Sequence, residues 1–456
     1  MIGSAVRADA TPVAVIGGGP SGLAAGFRLH QAGYRPILFD NRDYLGGKVS
    51  SRHRDGYVID DGAGVITTTY ASVLGIVRDS GFAHALVPAG NVFGFARDGG
   101  VHEVRANRMV WDGLRTPLLS WRSKLSMLKM ARDLHGLRKD LDYADLSKAA
   151  DHDTEWADEY ARRRLGEEVL EYLVEPSTRA LIGASAKDVS YLDLMFSMDK
   201  FLGAGYVAFA EGMGTYPEHL SQFLDVRLSH EVVGVEEVGN SEVEVTWRSG
   251  DASGTERVAG AVLAVPAPTT AAIHTRLDAE RRDILKGVRY TQGVNLTVAN
   301  AKAPPDQRSV YIQVPPSLHH GIVGLLLEHN KVAGRAPDGK GLTGVYTVSD
   351  YAGDLIEKDD ETITRELLDG ASKILPGLDR DVEFTMVTRW DPMIVMSHKG
   401  FWKQMRELNR IRRERDTRIQ LAGDYFAVSN VNTASVAGER AARDLATALG
   451  GTQAQQ

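Results

Sequence analysis

Apolar positions along the chain follow two rhythms. Short continuous or alternating runs predict strands, and three-to-four spacings predict helices. Residues 13–16 form an apolar run that stops at Gly17; a helical pattern follows through Leu23, Phe27 and Leu29, and a second run at 37–39 ends in Asp40. From about Trp111 to Tyr206 the helical rhythm dominates. Leu118, Trp121, Leu125 and Leu128 share one face by their 3-4-3 spacing, which predicts an amphipathic helix. Strand patterns return at 226–237, in the alternation of Val243, Val245 and Trp247, and at 262–265, with a turn at 248–255 between the last two. Further strand patterns at 294–298, 310–314, 322–327 and 345–348 precede a helical stretch at 362–374. An apolar run at 419–422, the pair Gly423-Asp424 and a helix from about Thr433 to Leu449 follow.

The turn after the first run reads Gly17-Gly18-Gly19-Pro20-Ser21-Gly22. In such a G-x-G-x-x-G loop Gly17 makes the turn, Gly19 lets a pyrophosphate approach the backbone, and Gly22 lets helix and strand pack closely. Free N–H groups at the helix start meet the phosphates. Asp40 lies 23 residues after Gly17, where a carboxylate accepts from both ribose hydroxyls and repels a 2′-phosphate. Strands on both sides and the terminal acid favour an ADP-containing dinucleotide over a structural glycine turn.

The 456 residues exceed what one core usually serves, so two domains are expected. Cysteine is absent, which excludes disulfides, iron–sulfur clusters, thiolate metal sites and cysteinyl flavin attachment; no metal is expected. A net charge of −7 gives no case for nucleic acid, and aromatic residues are too sparsely interleaved with basic ones to form a stacking platform. Residues 1–12 lack the apolar core of a signal peptide, and no apolar stretch reaches the 18 residues of a membrane span. Cytoplasmic action is therefore expected. Residues 118–141 carry six Lys/Arg against two acids and residues 399–418 eight against three; either suits peripheral contact with an anionic membrane, and solvated helix faces explain the same pattern.

Beyond the first loop, Asn41 leads to Gly46-Gly47-Lys48, and Asp60-Asp61-Gly62-Ala63-Gly64 follows. Residues 228–232 end at Val232 and precede Ala264-Val265-Pro266. Late in the chain, Gly423-Asp424-Tyr425 precedes Asn432-Thr433-Ala434. With these pieces the chain resembles the flavin-containing amine oxidase superfamily, nearest its protoporphyrinogen oxidase and phytoene desaturase-like branch. The resemblance implies an α/β fold: a discontinuous Rossmann-like FAD-binding domain (1–90, 207–284, 380–456) and a second domain of mixed sheet and helices for substrate (91–206, 285–379). It implies that FAD is held by Gly17, Gly19, Pro20, Ser21, Gly22, Asp40 and Asn41, then by Gly46, Gly47 and Lys48 near the diphosphate. The superfamily usually has arginine at Lys48, which keeps the charge without the planar fork. The backbone at Gly62, Ala63 and Gly64 passes under the isoalloxazine ring, and Val232 pairs its backbone with adenine. Ala264, Pro266 and Trp390 join the set. Gly423 and Asp424 take the ribityl chain and diphosphate, and the helix start at Asn432, Thr433 and Ala434 faces flavin N1 and O2. A helix N-terminus there stabilises the negative charge of reduced flavin by roughly 0.3–1 kcal/mol; taken alone, Thr433 reads better as the cap of a surface helix, and the early ADP motif turns the reading toward flavin. A ligand that needs both ends of the chain favours FAD over NAD.

No second glycine loop marks an NAD(P)H domain, so electrons are expected to come from an organic substrate and pass to dioxygen or a quinone. Amine oxidases of the superfamily usually carry a lysine on the strand after the Ala-Val-Pro segment. Here that strand offers Asn295, and no lysine occurs between 287 and 300. Trp390 resembles a tryptophan beside the flavin, or is a core aromatic. Tyr425 follows the Gly-Asp pair and either faces the cavity or does not. Asn295, Trp390 and Tyr425 are the candidate catalytic residues. Residues 174–177 and 188–191 resemble the porphyrinogen oxidase and desaturase branch. Together these features imply dehydrogenation of a small or medium apolar substrate by hydride transfer to flavin N5, with Met127, Met130, Met195, Met198 and Phe201 as candidate lining. An amine or amino-acid oxidase releasing imine and peroxide, and a non-catalytic flavin-binding subunit, are the alternatives. Oligomeric state is left open.

Overall fold

Apolar runs at 13–16 and 37–39 become adjacent parallel strands because every residue in them is buried on both faces. In the computed structural model, which describes residues 10–304 and 307–450, they belong to a five-stranded parallel sheet. Its order is Asp225–Arg227, Arg35–Phe39, Pro12–Ile16, Ala261–Leu263 and Ile419–Leu421. Helices Pro20–Gln31 and Val431–Ala448 pack against each other beside this sheet. They approach so closely that a Cβ on Gly438 would collide with Ser21 O, and Arg28 pairs with Glu439 at 2.6 Å. The first and last helices of the chain are thus one packed unit. The sequence before the first apolar run predicts a loose tail at 1–11, which lies outside the described residues except for Ala10 and Thr11.

A seven-stranded sheet forms the second layer, in the order Val382–Trp390, Gly293–Asn300, Gly341–Thr347, Ile322–Leu327, Tyr311–Gln313, Val92–Arg97 and Gly100–Arg105. Helix Asp360–Ile374 covers it, burying Ile363, Leu367 and Ala371 against Val294, Leu296 and Val298. The expected domain boundary at 380 is corrected here. Val382–Trp390 pairs antiparallel along Gly293–Asn300, from Gly293 opposite Trp390 to Asn300 opposite Val382, so the chain rejoins the first sheet only at Ile419. The half-buried alternation of 382–390 fits either sheet, and only the partner strand decides.

Helices Trp121–Leu137, Ala157–Arg164, Tyr191–Phe201 and Phe401–Arg415 make up a helical group. The last of these buries Trp402, Met405, Leu408 and Ile411, while Arg406, Arg410, Arg412, Arg413 and Arg415 are all ion-paired. The basic stretch at 399–418 is therefore a core-facing helix most of whose cations are ion-paired, and it has no apolar face to give a membrane. Among the described residues no helix is long and apolar enough to cross one.

Candidate functional site

A cavity of about 1120 Å³ is lined by residues of both layers, larger than the usual range for one small ligand. At its first end the glycine loop is shaped by close approach. Gly17 has φ +104°, and a Cβ there would lie 2.6 Å from Ala264 O; a Cβ on Gly22 would collide with Gly17 O. Above Gly19 nothing lies within 4 Å of the Cβ position, so the backbone is open to the cavity. Asp40 braces the loop, accepting from Gly18 N–H at 2.6 Å and Arg42 N–H at 2.8 Å, and lines the cavity beside Asn41. Ser21 Oγ, at the helix start, is buried without a hydrogen-bond partner. Val232 and Val233 line the wall at a β-bulge in strand Glu231–Val238.

The last helix meets the same space. Asn430 caps it, its Oδ1 accepting from Thr433 N–H at 2.9 Å; Val431 and Ala434 line the cavity, as do Gly423 and Asp424. Among the described residues the N–H groups of Val431 and Asn432 make no hydrogen bond, as the first turn of a helix requires. Two side chains expected here are spent elsewhere. Asn432 Oδ1 accepts from Ser72 N–H at 3.0 Å and Val73 N–H at 3.3 Å, capping helix Ala71–Asp79. Thr433 is fully buried and donates to Val428 O at 2.7 Å; it is neither the cap nor on the surface. Tyr425 is buried under Gly423 and against Phe426, outside the lining, so its expected catalytic position is not realised. Gly22 and Gly46 also lie outside the lining; their role here is packing. Lys48 lines the cavity with Gly47; burial pushes its ammonium pKa down, Asp424 opposing and Arg42 reinforcing.

The loop Gly62-Ala63-Gly64 lies along the cavity and is gripped from behind by charge. Asp60 accepts from Lys331 Nζ at 3.0 Å, Arg335 at 3.1 Å, Ser51 Oγ at 2.7 Å and Met213 N–H at 2.8 Å. Lys331 also pairs with Glu328 at 2.5 Å. The side chains of Asp60, Lys331 and Arg335 are fully buried, and a Cβ on Gly64 would lie 3.2 Å from Lys331 Nζ. Burial pushes the carboxyl of Asp60 up, but Lys331 and Arg335 override it and hold it below the usual carboxylate range. Glu328 goes the other way: burial outweighs Lys331 and raises it. Next door, Asp61 pairs with Arg52 at 2.8 Å and its carbonyl accepts from Trp390 Nε1 at 3.1 Å.

Trp390 therefore lines the cavity with its indole N–H tied to the same loop, and the Arg42 guanidinium sits 5.2 Å from its ring centre. At the far end, Asn295 is the residue of strand Gly293–Asn300 that lines the space, with Tyr311 and Tyr346, whose ring centres are 6.4 Å apart. Arg179 is almost fully buried there, and its hydrogen bonds run to the carbonyls of Val314, His319, His320 and Ile322. Burial pulls its pKa down, Glu175 opposing. Of the expected apolar lining, Phe201 is present; Met130, Met195 and Met198 belong to the core, with Met127 packed on it. Arg179, Lys331 and Arg335 are the residues that sequence reasoning misses. Their partners lie far away in the chain, 271 residues from Asp60 in the case of Lys331, and no spacing signals that.

These residues fit a dinucleotide that spans both ends. The open face above Gly19, the unpartnered Ser21 Oγ and two helix N-termini border one cavity. Comparison with known proteins agrees. Over 476 aligned positions the chain is 23% identical to a coproporphyrinogen III oxidase of Bacillus subtilis, covering 96% of this chain and 98% of that protein. A mitochondrial protoporphyrinogen oxidase of Nicotiana tabacum is 30% identical over 186 residues, which is 40% of this chain and 35% of that one. A solved cyclohexylamine oxidase from Brevibacterium oxydans shares the fold with a TM-score of 0.74 at 18% identity, covering 97% of this chain and 100% of that one. Residues 20–446 match the family of flavin containing amine oxidoreductases. The chain belongs to that family and is a flavin-dependent oxidoreductase.

Proposed function

We propose that the protein binds FAD across this cavity and dehydrogenates a small or medium apolar ring or polyene, with dioxygen or a quinone taking the electrons. Bound FAD would supply a hydride acceptor at N5. The chain supplies the rest. Gly19 and the N–H groups at the start of helix Pro20–Gln31 would hold the diphosphate, Asp40 the ribose, and Val431 and Asn432 N–H groups the negative end of the reduced ring.

Asn295 is the observation that carries the oxidation chemistry. It is the side chain that strand Gly293–Asn300 offers to the cavity, and an amide orients a substrate or a water without exchanging a proton at neutral pH. Lys48 is the one lysine in the described lining, and it sits with the glycine loop. Arg179 adds a second argument. Its hydrogen bonds go to carbonyls and Glu175 offsets part of its charge, so the cation that is left disfavours a substrate arriving as an ammonium ion relative to a neutral or anionic one. Relatives are named coproporphyrinogen III oxidase and protoporphyrinogen oxidase, and their names supply porphyrinogens as candidates of the same class.

The test is an anaerobic screen that follows loss of the oxidised flavin absorption band. Polyenes, cyclic ketones and porphyrinogens are expected to bleach it and primary amines are not. Bleaching by amines, with imine formed as the band is lost and peroxide formed when air is admitted, would make the protein an amine oxidase. A flavin band that no candidate bleaches would point to the flavin-binding subunit instead.

A further inference from the structure

The basic stretch at 118–141 behaves oppositely to the one at 399–418. Helix Met109–Arg115 and helix Trp121–Leu137 follow one another across a short connection that is polar and fixed. Lys124 Nζ donates to Leu114 O at 2.9 Å and Thr116 O at 2.6 Å, closing the first helix. Ser120 caps the second and donates to Glu168, which pairs with Arg97 at 2.8 Å. Ser123, Ser126 and Met130 face inward. The outer face is apolar: Val110 is 80% exposed, Trp111 53%, Leu114 44%, Trp121 67%, Leu125 64% and Leu128 67%. Of the amphipathic stripe legible in the sequence, Trp121, Leu125 and Leu128 thus point away from the protein, whereas Leu118, ahead of the helix, is buried. Soluble proteins rarely leave so many large apolar side chains together in water without a partner for them.

Charge says what that partner is. Between residues 106 and 139 the exposed positions include seven Lys/Arg and no Asp or Glu. The two acids in that range are engaged, Asp112 with Arg105 at 2.8 Å and Asp133 with Arg164 at 2.7 Å. Among the described residues Arg108, Arg122, Lys129, Arg132 and Lys139 make no ion pair. A second copy of this chain would bring like charges together on this face. An anionic bilayer accepts both features, tryptophan and leucine below the headgroups and lysine and arginine against the phosphates.

We infer that the two-helix segment 109–137 docks the protein on an anionic lipid surface. Helix Trp121–Leu137 packs on helix Tyr191–Phe201, whose Ser197 and Phe201 line the cavity, so docking would place the membrane one helix away from the flavin site. This inference stands independently of the substrate reading.

The test is sedimentation of the flavin-loaded protein with vesicles. An equal mixture of phosphatidylcholine and phosphatidylglycerol is expected to carry it down at low salt, and pure phosphatidylcholine to do so far less. Acyl-brominated lipid should quench tryptophan emission. Leu114→Ser/Leu125→Ser/Leu128→Ser, which keeps both tryptophans, is expected to weaken binding by about a hundredfold or more while the flavin band is retained. Arg122→Gln, Lys129→Gln and Arg132→Gln should each cost about fivefold on the anionic vesicles. Failure to sediment with either vesicle, unchanged binding by the leucine variant, or concentration-dependent dimers that the leucine variant abolishes would each overturn the proposal. None of these outcomes touches the flavin screen.

Discussion

Gly19 and Lys331 show how single residues set the site from opposite sides. Nothing lies within 4 Å of the Gly19 Cβ position, so Gly19→Val folds but places methyls where a phosphate belongs. Unfolding is expected to shift by less than about 1 kcal/mol, and FAD binding to weaken by about a hundredfold or more, roughly 2.7 kcal/mol. Equilibrium dialysis beside urea unfolding checks both. Lys331→Met instead leaves Asp60 and Glu328 buried with Arg335 alone, and is expected to cost about 3–5 kcal/mol. Lys331→Met/Glu328→Gln removes a charge of each sign and should recover part of that loss, which a double-mutant cycle in urea measures. Gly19 is legible in the sequence because a glycine loop between two apolar runs has a local signature. Lys331 is not, because nothing near it in the chain distinguishes it from a solvated surface lysine.

Among elements, helix Tyr191–Phe201 carries a pH dependence. Asp193 on it is buried, accepts from Trp402 Nε1 at 2.8 Å, and burial pushes its carboxyl up to about 8 against the pull of Ser397 and Trp402. In the unfolded chain an aspartate ionises near 4. Between those two values only the unfolded state loses the proton, so stability falls as pH rises, by at most about 1.4 kcal/mol per pH unit, and levels off above the folded value. Asp193→Asn cannot ionise and keeps a carbonyl for Trp402. The variant is therefore expected to lose less stability than the parent between about pH 5.5 and about pH 8 in urea titrations. An equal decline in both would exclude Asp193 as the source. Elements themselves are mostly legible, since the runs at 13–16, 37–39, 322–327 and 419–421 fill strands. Their partners are less so. Residues 382–390, assigned by the sequence to the FAD-binding domain, form a strand of the second sheet, and Trp121, Leu125 and Leu128, the part of the periodic face that falls in helix Trp121–Leu137, are turned outward. Periodicity fixes which residues share a face, whereas which face is buried depends on neighbours far along the chain.

The whole molecule depends on its two ends meeting. Gly22 packs the first helix on its strand, Gly438 packs the last helix on the first, and the N-termini of both open into one cavity. Gly438→Val would force those helices apart at Ser21 and is expected to lower both thermal stability and FAD affinity, as read by melting with and without added FAD. For the parent protein, FAD at about a hundred times its dissociation constant should add about 2.7 kcal/mol of stability. The most direct measurement is a titration of flavin-free protein with FAD, followed through the visible flavin band and the quenching of its fluorescence. One equivalent taken up by the parent and strongly weakened uptake by both Gly19→Val and Gly438→Val is the expected result. A folded parent that takes up no FAD, or variants at either end that bind it as well as the parent does, would contradict the account.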